Sequence, residues 1–297
     1  MKKIIISGAG GFIGSSLTRK FVDEGYEVIA ISRHFNPAFP DSSNIRRHNI
    51  DIGTPENLYE LLPEGEYEAF YHLAWRGVNG PEKANPIIQL DNVRLTVACA
   101  EVANKIGCKK FLCAGTVAER TVESISNIEK TSGGMLYGVA KHTTHLMLET
   151  YCKHIGQDFV WMQFSNIYGP QNKTGNLVSY TLGELMKGNE ASFGPALQPY
   201  DFIYVDDLIE AVYRLGINKT EKNYYVIGSG KPRILMEYLN QIGDEFGRPD
   251  LIKIGARPDD GVIYRFDMFD IDCLKQEIGD YITKDFTEGI RYTIDNY

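Results

Sequence analysis

The sequence predicts an α/β fold: a doubly wound parallel sheet with a smaller C-terminal α/β substrate lobe. Three observations predict it. Short β-branched and aromatic runs recur at 3–7, 27–32, 46–50, 68–73, 110–114 and 158–163, with helical stretches between them. Strands alternating with helices build parallel βαβ units. The first run leads straight into a glycine-rich turn, Gly8-Ala9-Gly10-Gly11-Phe12-Ile13-Gly14. Past residue 165 the alternation gives way to loops, apart from one more strand-like run at 223–227. The expected division is therefore discontinuous. Residues 1–165 form one domain, with about 200–228 returning to it, and 166–199 and 229–297 form the second lobe.

The elements follow in order. Ile4, Ile5 and Ile6 make a strand that is apolar on both faces, as a buried parallel strand should be. Gly8, Gly11 and Gly14 give G-x-x-G-x-x-G; Ile13 excludes the commoner G-x-G-x-x-G spacing. Ser15 to Glu24 then reads as a helix with Leu17, Phe21 and Val22 on one face, and Glu27–Ser32 as the second strand. This context gives the glycines a meaning. A tight turn lets the backbone approach a pyrophosphate, and the helix N-terminus is aimed at its negative charge. The arrangement is Rossmann-type, with Gly8, Gly11, Phe12, Ile13 and Gly14 as phosphate-side contacts. At the end of the second strand, an acidic residue would bind the adenosine ribose hydroxyls. Ser32-Arg33-His34 stands there instead. A guanidinium suits a 2′-phosphate. Ser32 and Arg33 therefore point to NADP(H) as the preferred cofactor, with NAD(H) as the alternative.

Two longer helices are expected at 92–106 and 137–155. Tyr137 and Lys141 are four residues apart on the second and share a face. A free phenol titrates near pH ~10. An ammonium beside it is expected to lower that value, making Tyr137 a usable acid or base near neutrality. Proton transfer at a sugar or alcohol oxygen requires such a group. Alone the pair would read as a helix-surface contact; after a dinucleotide turn it reads as catalytic.

Composition narrows the class. A chain of 297 residues with 43% apolar residues fits one large or two small domains. A net charge of −8 argues against nucleic-acid or acidic-membrane partners. Five cysteines without a C-x-x-C fit a reducing compartment, and the expected location is cytoplasmic. No apolar run approaches the ~18 residues of a membrane span, and the isoleucines after Met1-Lys2-Lys3 are too few for a signal peptide. His142 and His145 are spaced i, i+3, but no cysteine or carboxylate nearby completes a zinc set. No metal is expected, and these histidines read as solvated.

With both motifs in view, the chain resembles the extended short-chain dehydrogenase/reductases, specifically the NAD(P)-dependent nucleotide-sugar epimerase/dehydratase/reductase family. The glycine turn and the Tyr137/Lys141 pair carry the resemblance, and further motifs extend it nearly end to end. Asp51-Ile52 is similar to the family's adenine-contacting pair. His72-Leu73-Ala74 is similar to its cofactor-bordering turn, and Asn92, opening the helix Asn92–Thr96, to its helix asparagine. Thr116 falls where the catalytic Ser/Thr sits. Phe164–Pro170, with Asn166, resembles "N-V-Y-G-P", Asp201–Asp207 resembles "D-F-I-Y-V-D-D", and Arg257-Pro258 resembles a late diphosphate-contacting Arg-Pro.

The resemblance implies roles. Tyr137 protonates the alkoxide and Thr116 orients the carbonyl oxygen. Lys141 lowers the Tyr137 pKa and binds the nicotinamide ribose. Asn166 and Arg257 hold a nucleotide-sugar substrate, and Trp75, directly after the fourth strand, borders the sugar pocket. A homodimer through helices 92–106 and 137–155 is also implied. Departures matter too. Tyr200 replaces the usual Arg before Asp201, and Glu119-Arg120-Thr121 replaces a Val-Tyr-Gly, so 117–136 is atypical. Val117-Ala118 lacks the Asp-Glu of dehydratases, and Glu119 stands one position too far to replace it. Ala118 also lacks the cysteine of epimerase-reductases. The expected activity is NADP-dependent reduction of an NDP-4-keto-6-deoxyhexose at C4. The alternatives are an NDP-sugar 4-epimerase with tightly bound NAD and a non-catalytic dinucleotide sensor. Retention of Thr116, Tyr137 and Lys141 disfavours the sensor.

Overall fold

A seven-stranded parallel sheet organises the computed structural model, which describes residues 2–53, 56–127, 133–259, 261 and 264–297. Its first six strands are β1 (Lys3–Ser7), β2 (Glu27–Ser32), β3 (Ile45–Asn49), β4 (Tyr67–His72), β5 (Lys110–Thr116) and β6 (Asp158–Phe164). Short strands follow: β7 (Asn166–Tyr168), β8 (Ala191–Ser192), β9 (Pro199–Tyr200) and β10 (Phe202–Tyr204). Then β11 (Tyr224–Ile227) returns to the sheet, before β12 (Arg233–Ile234) and β13 (Ile252–Lys253). The order is β11-β6-β5-β4-β1-β2-β3. The chain winds outward from β1 to β3, then crosses back to β4. The switch point lies between β1 and β4, where such sheets open a crevice at the carboxyl ends of the strands. The register pairs Ser7 with Ile31 and with His72, and Thr116 with Phe164. These residues therefore share one edge.

The helices are α1 (Phe12–Asp23), α2 (Glu56–Leu61), α3 (Pro86–Lys105), α4 (Met135–Ile155), α5 (Leu177–Met186), α6 (Val205–Ile217), α7 (Leu235–Phe246), α8 (Asp272–Ile278) and α9 (Phe286–Asp295). Helices α1 and α6 pack together, as do α3 and α4. Side chains alternate along a strand, so the three isoleucines of β1 divide. Ile4 and Ile6 join Leu17 and Phe21 of α1 and Leu208 and Val212 of α6. Ile5 joins Phe70, Phe111 and Trp161 with Cys99 of α3 and Leu148 of α4. Burying each such side chain contributes about 1.5–3 kcal/mol, which fixes β1 in the interior of the sheet, beside the central β4.

Strand bounds agree with the sequence pattern to within two residues; helix starts agree less well. Helix α1 begins at Phe12, not Ser15, because Gly11 in extended conformation is its N-cap. Helix α3 begins at Pro86, not at residue 92. The Asn85 side chain accepts from the Ile87 and Ile88 N–H groups, and Pro86 fills the first helical position. Asn92 therefore sits in the helix interior rather than opening it. Of the atypical stretch 117–136, Val117–Asn127 is a 3-10 helix, and 128–132 lie outside the described residues. Past β6, short ladders pair β10 with β7, β12 with β9 and β13 with β8. Among the described residues no helix is long and apolar enough to cross a membrane.

Candidate active site

The glycine turn works through what it leaves out. Gly8 has φ +76°, and a Cβ there would stand 2.7 Å from the Ala74 nitrogen. A Cβ on Gly14 would stand 2.3 Å from the Gly8 carbonyl oxygen. The turn is pinned to β2 because the Gly8 and Ala9 N–H groups donate to the Ile31 carbonyl at 2.9 and 3.1 Å. Helix α1 follows at once, so its first-turn N–H groups, at Phe12, Ile13 and Gly14, lack helical acceptors. They open onto a cleft of about 700 Å³. Gly8, Gly11, Phe12, Ile13 and Gly14 all line it.

Farther along the same wall come Ser32, Arg33, Asp51 and Ile52. Arg33 is exposed and lines the cleft. The Ser32 hydroxyl donates to the His34 carbonyl at 2.9 Å. Asp51 is exposed and accepts from the Gly53 N–H at 3.1 Å. Leu73, Ala74 and Asn92 border the cleft below β4. Asn92 clasps the Arg76 backbone, accepting its N–H at 3.0 Å and donating to its carbonyl at 2.8 Å. Its role is therefore to shape the turn after β4.

The reacting end is built at the tips of β4 and β5. Thr116 closes β5, its hydroxyl accepts from the Ala118 N–H at 3.3 Å, and it lines the cleft together with Tyr137. Tyr137 meets the Trp75 indole edge-on at 6.1 Å. The indole N–H donates to Gln89 at 2.9 Å, so Trp75 is a fixed part of the wall and not a loose surface loop. Lys141 is buried; its Nζ donates to the Ala114 carbonyl at 2.5 Å and lies 3.7 Å from the Trp75 ring centroid. This corrects the expected pairing. Lys141 turns toward the strand end and the indole, and it is not among the groups that shift Tyr137. Burial, then the charge of Glu119, push the phenol up; the Thr116 hydroxyl only partly offsets them. Burial lowers the Lys141 ammonium, with Cys113 and Glu119 opposing.

Asn166 lines the cleft opposite, its amide donating to the Asp201 carbonyl at 3.1 Å. Arg257 does not reach it. Arg257 is exposed, its guanidinium donates to the Tyr180 hydroxyl at 2.6 Å, and its N–H donates to the Phe193 carbonyl at 2.9 Å. That backbone bond, next to the β8–β13 ladder, fixes Arg257 against α5.

Several functional neighbours escaped the sequence reading. Glu119 is 1% exposed and lies behind the cleft, not in it. It accepts from the Thr116 N–H at 2.7 Å, the Trp161 indole at 3.1 Å and the Gln163 amide at 3.4 Å. It therefore cannot stand in for a dehydratase acid. Trp161 and Gln163 sit two apart on β6 and so share a face, the one signal that pointed there. His145 is not solvated: it stacks between Trp161 at 5.0 Å and Tyr224 at 5.2 Å, and burial pushes it down to about 4. Lys83 lines the cleft with its Nζ 5.5 Å from the Tyr137 ring centroid. His72 bridges Ser7 at 2.9 Å and Thr96 at 3.1 Å, and burial, then Lys141, push it down to about 3. Among the described residues, no cluster of three or more His, Cys, Asp or Glu is placed to hold a metal.

The glycine turn at the switch point, Thr116 at the end of β5, and Tyr137 and Lys141 of α4 thus line one cleft. The model of the NAD dependent epimerase/dehydratase family matches residues 4–228. The chain belongs to that family. A putative UDP-glucose 4-epimerase from Methanocaldococcus jannaschii is 26% identical over 98% of this chain and 97% of that protein. A CDP-abequose synthase from Salmonella muenchen is 24% identical over 86% of this chain and 84% of that protein. Among solved structures, a dTDP-glucose 4,6-dehydratase from Streptomyces venezuelae, determined with NAD bound, shares the fold. Its TM-score is 0.83 at 20% identity, covering 99% of this chain and 96% of that one. The epimerase/dehydratase chain described here is thus an enzyme of a nucleotide-sugar family. Its cleft fits a nicotinamide dinucleotide on its own terms: Gly8, Gly11 and Gly14 line it in a turn too tight for a Cβ at Gly8 or Gly14, and α1 aims its N-terminus into it.

Proposed function

We propose that this enzyme carries out oxidoreduction at C4 of a nucleotide-linked hexose, most simply the reduction of a 4-keto-6-deoxyhexose. The observation that carries the reading is that Thr116, Tyr137 and Lys141 stand together on the wall of the cleft that the glycine turn opens. A nicotinamide dinucleotide, when bound, supplies the hydride chemistry. The chain's own residues do the rest. Tyr137 donates its proton to the sugar oxygen, and a phenol held neutral by burial suits an acid better than a base. The Thr116 hydroxyl orients that oxygen. Lys141 brings a cation to the same wall and binds ribose hydroxyls. Asn166 and Tyr200 face the cleft from the 166–200 region and contact the sugar nucleotide.

Arg33 supports NADP(H), which a reductase exchanges at every turnover. A second reading has its own support. The name of the Methanocaldococcus jannaschii relative favours a 4-epimerase over a reductase, and a 4-epimerase would keep its NAD bound. One experiment separates them. NADPH consumption on a panel of 4-keto-sugar nucleotides supports reduction. Release of the 4-epimer from sugar nucleotides with no added cofactor, by protein that copurifies with NAD, replaces that reading with epimerisation. Neither outcome leaves only the dinucleotide sensor.

A homodimer belongs to the same proposal. Ile87 and Leu90 of α3, and Leu146 and Met147 of α4, are 65, 63, 51 and 46% exposed. An apolar surface on two packed helices suits a four-helix bundle between copies.

A further inference from the structure

We propose that Glu119 is a positioning residue for the catalytic set: its carboxylate fixes Thr116 through the backbone and stands as the buried counter-charge of Lys141. The inference rests on the roles given above to Thr116 and Lys141.

The geometry begins in the sequence. Glu119 follows Thr116 by three residues in a 3-10 turn, so its carboxylate folds back onto the Thr116 N–H at 2.7 Å. That bond locks the residue that lines the cleft together with Tyr137. The other carboxylate oxygen takes the Trp161 indole N–H at 3.1 Å and the Gln163 amide at 3.4 Å. Gln163 is held in turn, its oxygen accepting from Arg120 at 3.0 Å and from the Tyr224 hydroxyl at 2.7 Å. Three donors converge on one fully buried carboxylate, and burying a carboxylate is costly without such donors or a counter-charge.

Trp161 joins the two charges. Glu119 bonds its N–H edge, while the Lys141 Nζ lies 5.9 Å from its ring centroid. The ammonium is itself buried, between the Trp75 face and the Ala114 carbonyl. The other titratable groups around the pair supply no negative charge. From β5, the Cys113 thiol is pushed up to about 12 by burial; from β4, His72 is kept neutral. On α4, His145 stands 4.0 Å from Glu119 and is likewise neutral, facing Glu149 at 3.7 Å on its far side, and Tyr137 is held protonated. Arg120 turns to Gln163 and the Tyr224 hydroxyl of β11. Among the described residues facing Lys141, the negative charge is that of Glu119. Burial raises this carboxyl and lowers the ammonium, and each opposes the other's shift.

The test is Glu119→Gln in the full chain. The amide keeps an acceptor oxygen for the Thr116 N–H and removes the charge. The chain's two tryptophans, Trp75 and Trp161, both contact this set, so intrinsic fluorescence against pH reads the pair without substrate. Loss of the counter-charge should move the alkaline fluorescence midpoint down by about one pH unit or more. The alkaline limb of kcat should follow, with KM for the sugar nucleotide moving less than kcat. An unchanged midpoint, with turnover reduced evenly at all pH values, would make Glu119 a merely structural residue and overturn the proposal. Glu119→Asp supplies an independent arm. It keeps the charge but shortens the reach, so the midpoint should stay while kcat falls on the order of tenfold to a hundredfold. Unchanged kcat in Glu119→Asp overturns the positioning role even if Glu119→Gln does not fold. If wild-type protein turns over no sugar nucleotide, the functional reading fails, and the substrate-free fluorescence still decides on Glu119.

Discussion

The two walls of the cleft are made of different material. The dinucleotide wall is backbone: a turn closed by missing Cβ atoms, three helix-terminal N–H groups and a strand end. The wall at Thr116 is backed, one layer behind the cleft, by side chains: Glu119, Trp161, Gln163, His145 and Tyr224, drawn from a 3-10 turn, β6, α4 and β11. A backbone wall depends on a few glycines and a spacing. A side-chain wall depends on which residues meet, and the same Tyr-x-x-x-Lys spacing yields different chemistry beneath different neighbours.

Four substitutions bear on this contrast, beginning with the largest effect. Tyr137→Phe removes the proton donor and should lower kcat on the order of a hundred- to ten-thousandfold while dinucleotide binding is kept. Near-full turnover in steady-state assays would show that the side-chain wall has no acid in it. Arg33→Ala should weaken NADPH by about 1.5–3 kcal/mol, roughly ten- to a hundredfold, and leave NADH unchanged. Equal losses for the two in calorimetric titration would remove the preference for NADP. Gly14→Ala puts a methyl 2.3 Å from the Gly8 carbonyl, so the turn must open. A cost of about 1–3 kcal/mol is expected in chemical unfolding, with weaker dinucleotide binding. A variant that binds as well as wild type would mean that the backbone wall yields more readily than its spacing suggests.

The fourth prediction concerns acid. His72, at the end of β4, is pushed by burial from its ordinary 6.5 down to about 3. Between those values the unfolded chain binds a proton that the folded chain refuses, so stability falls as pH drops below the unfolded value. His72 alone should cost up to about 1.4 kcal/mol per pH unit there. Urea unfolding at a series of pH values checks this, and His72→Gln should flatten the slope. An identical slope in the variant would assign acid sensitivity to other groups.

The sequence was legible where structure is local. The three isoleucines of β1, the glycine turn and β2 all fall where the pattern puts them, because buried strands and tight turns state their needs in adjacent residues. The helix starts were less clear. Gly11 caps α1 without a side chain to announce it, and the Asn85-Pro86 signal of α3 lies ahead of the residues that resemble a family motif. The pairing of Tyr137 with Lys141 was hidden for another reason. An i, i+4 spacing sets which face a side chain leaves from, not where a long lysine ends, and Lys141 finds the Ala114 carbonyl instead. Arg257 depended on the β8–β13 ladder, and Glu119 on a strand far along the chain. Neither dependence is written near the residue itself.

The closing stack on His145 has a consequence for the order in which this protein becomes an enzyme. Tyr224 belongs to β11, the last strand to join the sheet, which pairs with β6 only after the intervening chain has left and come back. A nascent chain emerging from the ribosome thus carries the glycine turn and β2 within its first few dozen residues. The packing behind Thr116 waits for β11, so the glycine turn is translated well before the support of the neighbouring side chains.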